Sequence, residues 1–178
     1  MTGSAAPSDP LDGRVGEAWS GEVPNGSHIN LVVARQGTAT GAAIVGALAS
    51  PRPGNLPFLA CLSSGSAVRP MTVVVNKSSI EDETLGRITW GAAQLGISQG
   101  VLDSVAEGLL DPAEADSLML LVAVWVDPKA HDETAVRKAN REATRAAIGD
   151  AIRQRSAEEI LALAGRREDA VNTYYEGE

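Results

Sequence analysis

The sequence predicts an α+β fold, a ββαββαβα order in which a mostly antiparallel sheet is covered by helices. Three observations carry that expectation. Short runs rich in Val, Leu and Ile recur between turn residues, which is how strands read. Two longer stretches, 81–108 and 133–165, space their apolar residues helically instead. Pro24, Asn25 and Gly26 separate the first two strand-like runs and make an antiparallel hairpin their natural connection.

Residues 1–13 are rich in Ser, Pro, Gly and Ala without periodicity and read as a disordered arm, because they offer little apolar area to offset the entropy of ordering. The domain proper is expected over 14–155. "VGEAWS" and "INLVVAR" are its first strands, and "TGAAIVGALA" is a short, closely packed helix stopped by "SPRPGN". "LPFLACLS" and "RPMTVVVNK" form two more strands around the turn "SSGSAV". Leu85, Ile88, Leu95, Ile97, Val101, Leu102 and Val105 then mark a helix with a glycine stop at Gly108. "DPAEADSL" is a turn with proline at a first helical position, and 118–126 is the next strand. From Glu133 to Gly165, Glu and Arg recur three and four residues apart among alanines, as one long helix or two consecutive ones. Residues 156–178 are expected to be a helical extension and polar tail.

Composition narrows the function classes. With 178 residues, 44% of them apolar, the chain suits one domain with a true core. Its net charge of −8 opposes a nucleic-acid or anionic-membrane partner. A single cysteine, Cys61, has no disulfide partner within the chain, packs as a small hydrophobe and suits a reducing cytoplasm. No export leader or membrane-spanning run is read, and no His/Cys/Asp/Glu cluster has metal-ligand spacing, so no metal is expected. Of the two histidines, His131 lies in the charged turn "KAHDET" and reads as surface. His28 stands where a glycine-rich turn enters an apolar strand, an unusual place for an imidazole.

Several strings in order, "GEAWSG", "SHINL", "LPFLACL", "RPMTVVVNKSSI", "WGAAQ", "VLDSVAEGLLDPAEADSLMLLVAVWVDPKA" and "NREATRAAI", resemble the formaldehyde-activating enzyme family from about Gly16 to Arg153. The resemblance implies that family's fold, a homopentamer, and condensation of formaldehyde with a reduced pterin, tetrahydromethanopterin or a relative, held between neighbouring subunits as co-substrate. It places the catalytic histidine at His28 and pterin contacts at Leu59, Lys77 and Gln94. Two further contacts, an aspartate and a threonine in the family, match Asn30 and Ser79. The chemistry suits these residue types. Formaldehyde adds to a pterin nitrogen, and the N-hydroxymethyl group loses water only if a proton reaches a poor leaving group. Histidine is the side chain whose ordinary charge change falls near neutral pH. Leu59 would supply an apolar wall, Lys77 a cation, and Gln94 an amide that donates and accepts. Asn30 replaces a carboxylate acceptor by a neutral amide, while Ser79 keeps a hydroxyl. A second reading, from a different class, is a non-catalytic protein that binds or senses a pterin or aldehyde in the same pocket.

Overall fold

The computed structural model describes residues 10–153 and 155–169. Five strands form one sheet: β1 (Val15–Ser20), β2 (Ser27–Arg35), β3 (Phe58–Leu59), β4 (Met71–Asn76) and β5 (Leu118–Val126), in the order β1-β2-β5-β4-β3. The β1–β2, β2–β5 and β3–β4 pairs are antiparallel and β4–β5 is parallel. β2 and β5 pair along their whole lengths at the centre, and their alternate residues face opposite sides of the sheet.

One side is the core. Ile29, Leu31 and Val33 of β2 and Leu118, Leu120, Val122, Val124 and Val126 of β5 pack there against helices, with Val74 of β4. The covering helices are α3 (Gln94–Ala106) and α4 (Glu133–Ile152). α4 buries Val136, Ala139, Ala143, Ala147, Ile148 and Ala151, a seam at three- and four-residue spacing. Asp132 caps its start by accepting from the backbone N–H groups of Thr134 and Ala135. Inside the seam, Ser27 Oγ donates to Asn140 Oδ1 at 2.8 Å, so the first residue of β2 is tied to the helix through a buried hydrogen bond. α3 crosses α4 closely because Gly96 and Gly100 carry no side chain. A Cβ at Gly96 would stand 2.3 Å from Arg137 O, and one at Gly100 2.6 Å from Arg141 O.

The other side of the sheet is only half covered. α1 (Ala39–Leu48) sets Ile44 against Ala34, Val73 and Met119, with Leu59, Met71 and Leu121 around them. Beyond α1, the ends of β1, β2 and β5 nearest the hairpin remain open, and this is where the chemistry-bearing residues stand.

Several elements differ from expectation. The strand expected over 56–63 shrinks to Phe58–Leu59, because Pro57 lacks an N–H for the ladder and the chain turns back after Ala60 through a single bridge from Cys61 to Ala67. The helix expected over 81–108 is three consecutive pieces: α2 (Glu83–Arg87), a π-helical stretch (Ile88–Ala93) and α3. The helical region 133–165 is two helices, α4 and α5 (Ala157–Gly165), the second opened by a capping box between Ser156 and Glu159. Residues 1–9 and 170–178 of the expected arm and tail lie outside the described residues. Pro10–Gly13 forms a turn fixed to the domain: Gly13 N donates to Val33 O, and Asp12 accepts from Arg35 N and from the hydroxyls of Thr38 and Thr40.

Candidate active site

Strand pairing assembles the site. Trp19 of β1 stands opposite His28 of β2, which stands opposite Trp125 of β5; one step along, Glu17, Asn30 and Ala123 form the next row. Because side chains alternate, both rows point to the open side while their neighbours Ala18, Ile29 and Val124 point into the core. β4 delivers Lys77 just beyond its last residue, where Lys77 N donates to Val124 O.

The four polar side chains meet. His28 Nε2 lies 2.6 Å from Glu17 Oε1, and His28 Nδ1 lies 2.9 Å from Lys77 Nζ. Lys77 Nζ also donates to Asn30 Oδ1 at 2.9 Å. A carboxylate can only accept, so Nε2 carries a hydrogen, and Nδ1 is left facing the lysine. Burial lowers the pKa of Lys77 below the ordinary lysine value, and the negative charge of Glu17 acts in the opposite direction. Aromatic rings flank this group: Trp19 lies 5.6 Å from Trp125 and 6.3 Å from His28 between ring centroids. Trp19 Nε1 donates to Gly21 O at 2.9 Å, so the ring is held although 41% of the residue is exposed.

Of the sequence-predicted residues, His28, Asn30 and Lys77 are thus in direct contact. Leu59 shares their side of the sheet but packs with Met71 and Leu121 next to the patch under α1. Ser79 is exposed in the loop after β4, beside Gly54. That loop is held by Asn76, whose Nδ2 donates to Gly54 O and to Ser78 O. Gln94 is on the opposite side of the sheet, at the junction of the π-helical stretch with α3. Its Oε1 accepts from Cys61 N and its Nε2 donates to Trp90 O. It lines a separate cavity of about 570 Å³ with Cys61, Trp90 and Arg137, among others. Cys61 is half-buried at that cavity rather than deep in the core. His131 is exposed, as its charged turn suggests.

Sequence reading missed Glu17, Trp19 and Trp125. The signal was present in "GEAWSG": Glu17 and Trp19 are two apart on one strand and so share a face, and the hairpin register sets them opposite Asn30 and His28. Trp125 is hidden in a run, Leu118–Val126, that is apolar at every position, so the residues on the open side do not stand out from those in the core.

Among the described residues, no three His, Cys, Asp or Glu side chains gather as a metal site would need, and no helix is long and apolar enough to cross a membrane. Residues 15–171 match the model of the family described as formaldehyde-activating enzyme. The chain is 38% identical over 153 residues to a 5,6,7,8-tetrahydromethanopterin hydro-lyase of Methanosarcina barkeri, covering 85% of this chain and 86% of that protein. It is 30% identical over 142 residues to a bifunctional enzyme Fae/Hps of Archaeoglobus fulgidus, and 29% over 147 residues to one of Methanospirillum hungatei, spanning 36% and 37% of their lengths. A match over most of the chain, together with the same α+β architecture, leads to one conclusion: this chain belongs to the formaldehyde-activating enzyme family.

Proposed function

We propose that the protein condenses formaldehyde with tetrahydromethanopterin to give the methylene adduct and water, with His28 as general acid. The observation that carries this reading is the polar cluster of His28, Lys77, Asn30 and Glu17 on an open sheet face, in a chain 38% identical to a tetrahydromethanopterin hydro-lyase. Formaldehyde adds to one pterin nitrogen, and dehydration of the N-hydroxymethyl group needs the proton that this cluster holds. Trp19 and Trp125 offer flat apolar surface to a heterocycle beside the proton source. The pterin contacts in this reading are Asn30, Leu59, Lys77, Ser79 and Gln94.

The same reading makes the enzyme a cytoplasmic homopentamer with its pterin held between subunits. Support comes from Gln94: it lies across the sheet from His28 in one chain, so both touch one ligand only if a neighbouring copy supplies one of them. Residues 14–155 would form the catalytic domain and 156–178 an extension, in keeping with an α5 that buries none of its side chains.

The test is the enzyme-dependent increment in methylene-pterin formation, since formaldehyde also condenses with reduced pterins unaided. Wild type should accelerate the reaction with tetrahydromethanopterin more than with tetrahydrofolate. His28→Ala should lose about 10²- to 10⁴-fold of that increment while keeping its assembly. An unchanged rate in His28→Ala would remove the imidazole from the mechanism.

A further inference from the structure

We propose that the cavity beside Gln94 holds the acidic side chain of the reduced-pterin co-substrate, with Arg137 as the cation that grips its phosphate or carboxylate. This rests on the condensation reading, in which Gln94 meets the pterin ring, and adds where the rest of the molecule lies.

Arginines recur every fourth residue along α4, at 137, 141 and 145, and each meets a side chain of α3. Arg141 grips Asp103 through two hydrogen bonds of 2.5 and 2.7 Å, and Arg145 grips Glu107 at 2.9 and 2.7 Å. Those two guanidiniums are neutralised where they stand. Arg137 differs. Its partner on α3 is the neutral amide of Gln99, whose Oε1 accepts from Nη1 at 2.9 Å. Among the described residues no carboxylate pairs with it, and Glu133, one turn earlier on the rim of the same cavity, is already paired with Arg87. An uncompensated cation therefore stands at this cavity in a chain whose net charge is −8.

Arg137 is half-buried and lines the cavity of about 570 Å³ together with Gln94 and Trp90, a volume that suits a small organic ligand. The Gln94 amide is held at both ends, by Cys61 N and Trp90 O, yet Oε1 can accept once more and Nε2 can donate once more to a ligand edge. Gln99 follows Gln94 by five residues, about 7.5 Å along the axis of α3, which sets the spacing between the amide and the cation. Tetrahydromethanopterin carries phosphate and carboxylate groups on a side chain remote from its ring. A guanidinium forks onto either group, and Arg137 spends one of its five N–H bonds on Gln99. In a site shared between subunits, the ring then meets His28 and Lys77 of one copy while the side chain runs into the cavity of its neighbour.

Calorimetry with two reduced pterins tests the assignment: tetrahydromethanopterin, and 6-methyltetrahydropterin, which has the ring system without the acidic side chain. Arg137→Gln should weaken binding of the first by about 10- to 100-fold and of the second by less than about twofold, as loss of a hydrogen bond to a charged group requires. Arg145→Gln, two turns along α4 and so beyond the screening length, is the matched control and should leave both affinities unchanged. Equal losses for the two pterins, or a loss in Arg145→Gln as large as in Arg137→Gln, would overturn the assignment. Tetrahydrofolate, which has carboxylates but no phosphate, identifies the group: the same dependence on Arg137 assigns a carboxylate, and dependence confined to tetrahydromethanopterin assigns the phosphate. A wild type that accelerates the condensation while Arg137→Gln binds tetrahydromethanopterin equally well would overturn this assignment alone. A wild type with neither acceleration nor binding would overturn the condensation reading with it.

Discussion

Asn30 shows how one atom exchanged in a side chain changes what a site can do. Its Oδ1 accepts from Lys77 at 2.9 Å, a bond an aspartate would also make, but without a negative charge beside the ammonium. Glu17 is then the remaining carboxylate acting on Lys77, and its side chain is 58% exposed. A charge that open contributes little to stability, about 0–1 kcal/mol, so its consequence lies in fixing the imidazole and biasing the lysine. The sign of a change at Asn30 follows. Asn30→Asp adds a carboxylate within hydrogen-bond distance of Nζ, favours the ammonium and raises the pKa of Lys77. Where binding of the pterin needs the Lys77 ammonium, the alkaline limb of the rate profile should move to higher pH in Asn30→Asp and to lower pH in Glu17→Gln, which removes the charge that raises the pKa of Lys77. A pH–rate series on both variants checks the pair, and shifts of the same sign would contradict the electrostatic account. His28 and Lys77 were legible in the sequence through the family resemblance that places them, since an imidazole in a turn and a cation at a strand end are by themselves ordinary surface residues. Glu17 was not, because an acidic residue on an edge strand looks like any solvated charge until cross-strand register gives it a partner.

At the scale of elements, the site depends on a sheet covered by helices on the side away from it. α3 and α4 approach so closely that backbone meets backbone at Gly96 and Gly100, and α4 in turn spans β1 and β2, the strands that carry Glu17 and His28. Replacing Gly96 by Ala adds the better helix former, worth about 1 kcal/mol in an open helix. Here, however, the methyl group would meet Arg137 O at 2.3 Å, and moving a backbone carbonyl costs more than that gain. Gly96→Ala should therefore destabilise by about 1–3 kcal/mol in urea unfolding. Gly149→Ala is the matched control: it lies within α4 with nothing inside 4 Å, and should stabilise by about 0.5–1 kcal/mol. Equal effects at the two positions would contradict the close crossing. Element order was legible because hydrophobic period separates helix from strand. The π-helical winding of Ile88–Ala93 was not, since apolar spacing reports a helix without fixing how tightly it is wound. β3 failed for a different reason: Phe58, Leu59 and Leu62 look like a long strand, but Pro57 and the reversal after Ala60 leave only two residues in the ladder.

For the whole molecule, the decisive fact is that a single chain separates the residues proposed to hold the pterin. His28, Asn30 and Lys77 face the open side of the sheet, and Gln94 faces a cavity on the helix side. No sequence pattern reveals this, because facing depends on how strands register and where helices pack. If one pterin touches both groups, its site closes only when two copies meet through unlike surfaces, the arrangement that generates a ring. Subunit mixing tests this directly. His28→Ala and Gln94→Ala oligomers, each impaired alone, are dissociated, mixed in equal amounts and reassembled. In a ring with sites shared between neighbours, random mixing gives about a quarter of the sites both an intact His28 and an intact Gln94, so activity should return to that fraction of wild type. A site contained within one chain would always carry one lesion or the other. In that case the mixture would be no more active than the average of the two variants, and the shared-site reading would fall.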